Sequence, residues 1–255
     1  MNELERCIAF VRWLDDRCAE RKEPTRFGTA YLCESLPRVW SLNYLALDPG
    51  AEASADDVAT ESDRVLAGFL HRKVVTDNDD LGSGLAQRFR QLGWRACPLL
   101  VMPFAGAGRR AAHEEVREVD LDTLAPVWIA GMQRSEWGDD DEAVRQVVGQ
   151  RRVIGAAGSA RYFAAFVEGA VASYCELYSD GETGQIEGVL TLEQFRGRGL
   201  ASAVVTRVRL ESEAAGHSLT FLIAEEDDWP KELYRKLGFL AAGRIWDFLK
   251  PPQLA

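Results

Sequence analysis

Glycine and arginine alternate in Arg196-Gly197-Arg198-Gly199, which joins an apolar run ending near Leu192 to a helical pattern carrying Leu200, Val204, Val205 and Val208. Glycines let a backbone turn sharply and aim several N–H groups at one point. The first turn of the helix that follows adds unpaired N–H groups and the positive end of its dipole. Such a junction suits an anion of the pyrophosphate kind. A dinucleotide fingerprint needs a third glycine, where this chain has Ser202, and its strand would be the first of the domain. A triphosphate-binding loop needs a lysine, and none occurs between Lys73 and Lys231. An ordinary glycine turn is the plainest reading of the tetrapeptide alone.

The rest of the 255-residue chain narrows the classes. At 47% hydrophobic and 27% charged it can bury a sizeable core, and no apolar run is long enough to span a membrane. Acidic residues interrupt the apolar pattern of the first twenty positions, against a signal peptide. Five scattered cysteines without CxxC pairs suggest reduced thiols in a cytoplasm, and three isolated histidines have no metal-ligand spacing. The net charge of −10 is concentrated after residue 110, where 15 Lys/Arg face 24 Asp/Glu. That balance argues against nucleic acid as a partner and favours cationic or amine ligands, beside its plain effect on solubility.

Periodicity gives an α/β chain with a mixed sheet. Residues 2–21 form an amphipathic helix with one polar intrusion, Asp15, on its apolar face. Strands are expected over Thr29–Cys33, Leu42–Leu47, Lys73–Val75 and Arg95–Met102, with helices over Asp57–Leu70 and Leu81–Leu92. A small, glycine-bearing, basic stretch, 106–112, reads as a linker between domains at 1–105 and 113–255. Beyond it come strands near Glu114–Val119 and over Arg161–Val167, Val171–Tyr178, Gln185–Leu192, Leu219–Ala224 and Ala242–Leu249, the last closing the second sheet. Helices are expected over Leu121–Arg134, Asp141–Arg151, Leu200–Ala215 and Pro230–Leu237. The two halves repeat: Phe89-Arg-Gln-Leu-Gly-Trp94 matches Tyr234-Arg-Lys-Leu-Gly-Phe239 in residue type, and both follow an acidic loop after a strand.

Arg196-Gly-Arg-Gly199-Leu-Ala201, followed by Leu233-Tyr-Arg-Lys-Leu-Gly-Phe239, resembles the two signatures of the GNAT superfamily of N-acyltransferases, in the right order and separated by a helix and a strand. The resemblance covers about residues 113–249 and, with the repeat, implies two GNAT-like domains in tandem. It implies acyl transfer from acetyl-CoA, without a metal, to an amine of a small molecule or peptide. It implies that backbone groups of Val189, Leu190 and Thr191 hold the pantetheine and acyl carbonyl, and that the loop from Arg196 through Gly197, Arg198, Gly199, Leu200, Ala201 and Ser202 holds the pyrophosphate. Tyr234 stands where the family often has the acid that protonates the departing thiolate. Asp227 stands where relatives often carry an asparagine against the cofactor; a carboxylate there could accept a hydrogen bond but would repel phosphate.

The base is less marked. Glu187, on the cofactor strand, could take the ammonium proton directly or through water, with Glu225 and Asp227 as rivals and a solvated strand carboxylate as the plain reading. No nucleophile elbow or Cys-His pattern indicates an acyl-enzyme, so direct transfer is expected. In the first half, Pro49-Gly-Ala-Glu-Ala-Ser-Ala-Asp-Asp57 replaces the cofactor loop and Phe89 replaces the tyrosine, so that copy is expected to bind no CoA. The acceptor pocket is expected at Ser135–Asp140, the Glu168–Ala170 turn and the domain interface, and Asp139–Glu142 is read as a helix cap. A catalytically inactive acyl-CoA-binding or regulatory protein is the alternative class. A nicotinamide-dependent oxidoreductase is a third reading, and a homodimer is compatible with all of these.

Overall fold

A computed structural model of the chain describes residues 1–106, 116–135 and 138–252. The first half runs α1 (Glu3–Cys18), β1 (Arg21–Pro24), β2 (Gly28–Leu32), β3 (Tyr44–Leu47), α2 (Ala55–Val65), β4 (Arg72–Thr76), α3 (Asp79–Gln91) and β5 (Arg95–Pro103). The second runs β6 (Val116–Val119), α4 (Leu121–Gln133), α5 (Asp141–Ala157), β7 (Arg161–Val167), β8 (Ala170–Ser179), β9 (Thr183–Thr191), α6 (Leu200–Ala214), β10 (Leu219–Glu225), α7 (Pro230–Lys236) and β11 (Gly243–Lys250). All but Gly106 of the expected linker lies outside the described residues.

Element types follow the sequence pattern, with departures that have local causes. β1 is a mostly exposed edge strand of sequence RKEP, so no apolar alternation marks it. α2 stops at Val65, short of Leu70, where the chain turns with the Phe69 N–H on the Leu66 carbonyl. α5 continues past Arg151 to Ala157, and Gly155 in its last turns leaves room for the Tyr162 hydroxyl, which a Cβ would meet at 2.5 Å.

One mixed sheet of eleven strands carries the whole fold, in the order β1-β2-β3-β4-β11-β5-β10-β9-β8-β7-β6. The parallel pairs β3/β4 and β9/β10 occupy matching places in the two halves. β11 does not close a second-half sheet as expected. It enters between β4 and β5, while β5 pairs on its other side with β10. Packing explains the exchange. Trp246 and Phe248 of β11 fill the first-half core beneath α2 and α3, with Phe248 stacked on Phe89 at 4.4 Å between ring centroids. Leu100 and Met102 of β5 fill the second-half core beneath α6 and α7. Each of these side chains contributes roughly 1.5–3 kcal/mol by burial, so neither core is complete without a strand of the other half.

The repeated hexapeptides take the same shape. Leu92, Gly93 and Trp94 close α3 with the bonds that Leu237, Gly238 and Phe239 use to close α7, including Trp94 N–H to Phe89 C=O and Phe239 N–H to Tyr234 C=O, both at 3.0 Å. Gly93 and Gly238 have φ of 81° and 94°, the left-handed stop that favours glycine. The opposite face of the sheet is covered by α1, α4 and α5.

Candidate active site

The site grows from the point where β9 leaves β10. Their parallel ladder runs from Leu219↔Thr183 to Leu222↔Ile186 and stops. Past that point Ile223–Glu225 pair with Val101–Leu99 of β5, while β9 stays with β8 through Tyr174↔Leu190 and Ser173↔Thr191. A register shift between Tyr174 and Glu176, opposite Gly188 at φ 62°, bends β9 away. The stretch Glu187–Thr191, which contains Val189, Leu190 and Thr191, thus carries no ladder to β10, and Leu190 is 41% exposed. On the β8 side the Ser173 hydroxyl donates to the Leu190 carbonyl at 2.9 Å.

The diverging strand leads through a 3₁₀ turn, Glu193–Phe195, into the glycine loop. Gly197 and Gly199 adopt φ of 76° and 77°, and Gly199 is the N-cap of α6 with no side-chain cap. The first intrahelical bond is donated by the Ala203 N–H to the Gly199 carbonyl, so the amides of Leu200, Ala201 and Ser202 lie ahead of the ladder. Nothing lies within 4 Å of a Cβ built on either glycine, which leaves room beside those amides. Leu200 is 2% exposed and anchors the helix in the core. The Arg196 side chain turns back to the Thr191 carbonyl at 3.4 Å, and Arg198 lies over the Phe195 ring at 5.6 Å.

The matching junction of the first half is built differently. The N-cap of α2 is Ser54, whose hydroxyl accepts the Asp57 N–H at 3.2 Å, and Asp56 and Asp57 occupy the first turn. A capped, acidic helix start repels an anion where α6 leaves its amides open. Phe89, the counterpart of Tyr234, is fully buried.

Tyr234 lies on α7 in the core beneath α6, 8% exposed, and its hydroxyl makes no hydrogen bond among the described residues. Burial pushes its pKa up, and the nearby Glu187, Cys175 and Asp228 push it further. The phenol is therefore a proton donor at neutral pH. Asp227 is exposed in the turn after β10.

Glu187 lies on the opposite face of β9, partly buried. Its carboxylate accepts from Gln185 Nε2 at 3.0 Å and from the Gly188 N–H at 3.2 Å. Burial raises its pKa, and those two donors and Arg151 pull it back in part. Beside it, the fully buried Glu176 is paired with Arg151 and accepts the Tyr178 hydroxyl at 2.5 Å. Sequence reasoning did not single out that trio. A lone carboxylate inside a strand buried on both faces was its only signal, and the partner comes from a distant helix.

Glu187 opens onto a cavity of about 540 Å³ between the sheet and the helices α1 and α5. Both halves line it, among others Val11 and Asp15 of α1 and Val75 of β4 from the first, and Gln185, Ile223 and Ile245 from the second. Glu225 reaches it from the end of β10, whereas Asp227 does not line it. Of the acceptor walls expected from sequence, the interface between the halves lines the cavity, while Ser135, Gly138–Asp140 and Glu168–Ala170 do not, and residues 136–137 lie outside the described residues. Asp140 instead caps α5, accepting the Ala143 N–H at 3.0 Å. Among the described residues, no group of three or more His, Cys, Asp or Glu is placed to hold a metal, and no helix is long and apolar enough to cross a membrane.

Residues 166–246 match the family model described as FR47-like protein. No curated protein matches the chain. Among solved structures, a functionally unknown conserved protein from Staphylococcus epidermidis superposes with a TM-score of 0.70 at 16% identity, over 91% of this chain and 94% of that one. A GCN5-related N-acetyltransferase from Kribbella flavida gives 0.59 at 16% identity over 98% and 95%. A tandem GNAT protein from the clavulanic acid biosynthesis pathway gives 0.51 at 13% identity over 79% and 69%. At these identities the likeness is one of fold: the chain shares a mixed α/β fold with these proteins, one of which is described as a tandem GNAT protein.

Proposed function

We propose that this GNAT-related chain is an N-acyltransferase with one working site per chain, moving an acetyl group from acetyl-CoA directly to an amine. The observation that carries the reading is the divergence of β9 from β10, which opens onto an uncapped helix start on one side and onto Glu187 and the cavity on the other. A fit for CoA is supported by the room beside Gly197 and Gly199 and by the open amides of Leu200, Ala201 and Ser202, which suit its pyrophosphate. The unladdered backbone of Val189, Leu190 and Thr191 suits the amide groups of its pantetheine arm. Arg196 and Arg198 supply positive charge near the phosphates, while Asp227 stays at the rim.

When bound, acetyl-CoA supplies a thioester carbonyl that an amine can attack. Glu187, with its pKa raised by burial, takes a proton from the incoming ammonium. Tyr234, held protonated, gives one to the sulfur that departs. The remaining contribution is positioning, as the loop and strand fix the donor against the cavity that holds the acceptor. The capped, acidic start of α2 and the phenyl ring of Phe89 support an empty first-half site.

The test is release of free thiol from acetyl-CoA by purified protein with a panel of amines, with CoA stoichiometry measured by calorimetry. One CoA per chain and amine-dependent thiol release are expected. Tyr234→Phe should lower kcat ~10²-fold with CoA affinity little changed. CoA binding without thiol release from any amine would favour a regulatory binding protein instead.

A further inference from the structure

The cavity beneath α1 has a charge imbalance with a direction. Five carboxylates line it, Asp15, Asp77, Glu187, Glu225 and Asp247, against three cations, Arg12, Lys73 and Arg151. Every one of those cations is engaged. Arg12 pairs with Asp77 at 3.2 Å, Lys73 with Asp247 at 2.6 Å, and Arg151 with the buried Glu176. Asp15, Glu187 and Glu225 form no ion pair among the described residues. Two buried carboxylate oxygens at the cavity's walls, Asp15 Oδ2 and Asp247 Oδ1, also have no hydrogen-bond partner. An unpaired carboxylate in a half-apolar cavity is costly unless a cation arrives. Between the acidic groups the lining is aliphatic, with Ile8, Val11, Leu14, Leu99, Ile223 and Ile245.

Resting on the acyl-transfer reading, we infer that the acceptor is a small aliphatic diamine or polyamine, with the reacting amine at Glu187 and a second ammonium drawn toward Asp15. The volume of about 540 Å³ suits a small molecule. The aliphatic walls suit a methylene chain, and the engaged cations leave little to bind an acceptor's carboxylate or phosphate. An arriving ammonium also offsets the cost of keeping Asp15 ionised in this buried position, where burial raises its pKa. In the transfer, the amine nitrogen forms a bond to the acyl carbon and the carbon–sulfur bond breaks. One proton goes from the ammonium to Glu187 and one from Tyr234 to the sulfur, and the second proton that the nitrogen loses as the amide forms returns, through water, to the Tyr234 phenolate. The distal ammonium stays charged throughout.

The experiment uses the full chain with acetyl-CoA and compares 1,4-diaminobutane and spermidine with butylamine, an amino acid and a short peptide. The diamine and spermidine should exceed butylamine ~10-fold or more in kcat/KM, the worth of one charge-assisted contact. Asp15→Asn should collapse that ratio. Thiol release that is equal for butylamine and the diamine, or best with the amino acid or peptide, overturns the inference and leaves acyl transfer standing. If no amine releases thiol, calorimetry of spermidine against butylamine in the presence of CoA decides separately. A ~10-fold preference for spermidine supports the cavity's assignment, and no preference overturns it. The wild-type ratio carries the test even if Asp15→Asn fails to fold.

Discussion

Asp15 holds a position that a protein selected for stability alone would not keep. It sits on the sheet-facing side of α1, takes a hydrogen bond from Tyr44, and leaves Oδ2 buried without a partner. Burial raises its pKa from 3.8 to about 6, against the pull of Tyr44, Arg12 and Lys73. A shift of ~2 units is ~3 kcal/mol of preference for the neutral carboxyl in the folded state. Because the folded value is the higher one, the unfolded chain ionises first as pH rises. The penalty is then small near pH 4, grows between about 4 and 6, and is complete above that. Asp15→Asn keeps an acceptor for Tyr44 and removes the charge. It should stabilise the ligand-free protein by up to ~3 kcal/mol at pH 8, roughly 6–12 °C in Tm for a chain of this size, and by less than ~1 kcal/mol near pH 4. Urea denaturation of both proteins at pH 4, 6 and 8 measures this. A gain that is the same at all three pH values, or no gain at pH 8, would refute the account of Asp15 as a buried carboxylate awaiting a cation.

Three other substitutions probe the site and the fold. Glu187→Gln should lower kcat/KM ~10²-fold and abolish an acid limb that, because burial raises the Glu187 pKa, lies above the ordinary glutamate range; a pH–rate profile unchanged by the substitution assigns the base elsewhere. Gly199→Glu forces a side chain onto φ 77° and sets a negative charge at the open start of α6. CoA affinity by calorimetry should fall ~10-fold or more in a protein whose circular dichroism is unaltered. Gly82→Ala places a methyl where the nearest atom is Cδ1 of Trp246 at 2.1 Å. It should cost ~1–3 kcal/mol, and urea unfolding should remain one transition followed equally by both halves; separate transitions would contradict the shared-core argument.

How much of this was legible in the sequence depended on the range of the interaction. The loop, the Leu-Gly-aromatic stops of α3 and α7, the cap at Asp140 and the proline that opens α7 at Pro230 are local, and residue types over a few positions specify them. Asp15 was visible as a polar intrusion on an apolar helix face, but nothing in the sequence said what faced it. The Arg151–Glu176–Tyr178 group joins a helix to a strand 25 residues on, and no spacing rule links them. The cavity was unreadable for the same reason, since its walls come from α1, seven strands of the sheet and α5. The insertion of β11 between β4 and β5 was the largest departure. Its alternating apolar pattern fits either half equally well, and only the placement of Trp246 and Phe248 against Phe89 decides which core it enters.

That exchange bears on why a half without a cofactor loop persists. β5 supplies Leu99 and Val101, whose ladder with β10 holds that strand straight where β9 leaves it. Without β5, the outer edge of β10 would be unpaired just where the donor is proposed to lie. α1 covers the same face through Cys7 and Phe10, with Phe10 edge-on to Phe221 of β10 at 5.7 Å. It thereby roofs the cavity into which Glu187 opens. On the proposed reading, the first half needs no feature that grips CoA, so long as it keeps one strand and one helix in place. Selection on those elements is selection on the geometry of the other half's site. The acidic, capped α2 and the buried Phe89 at the place that matches Tyr234 fit such a division of labour.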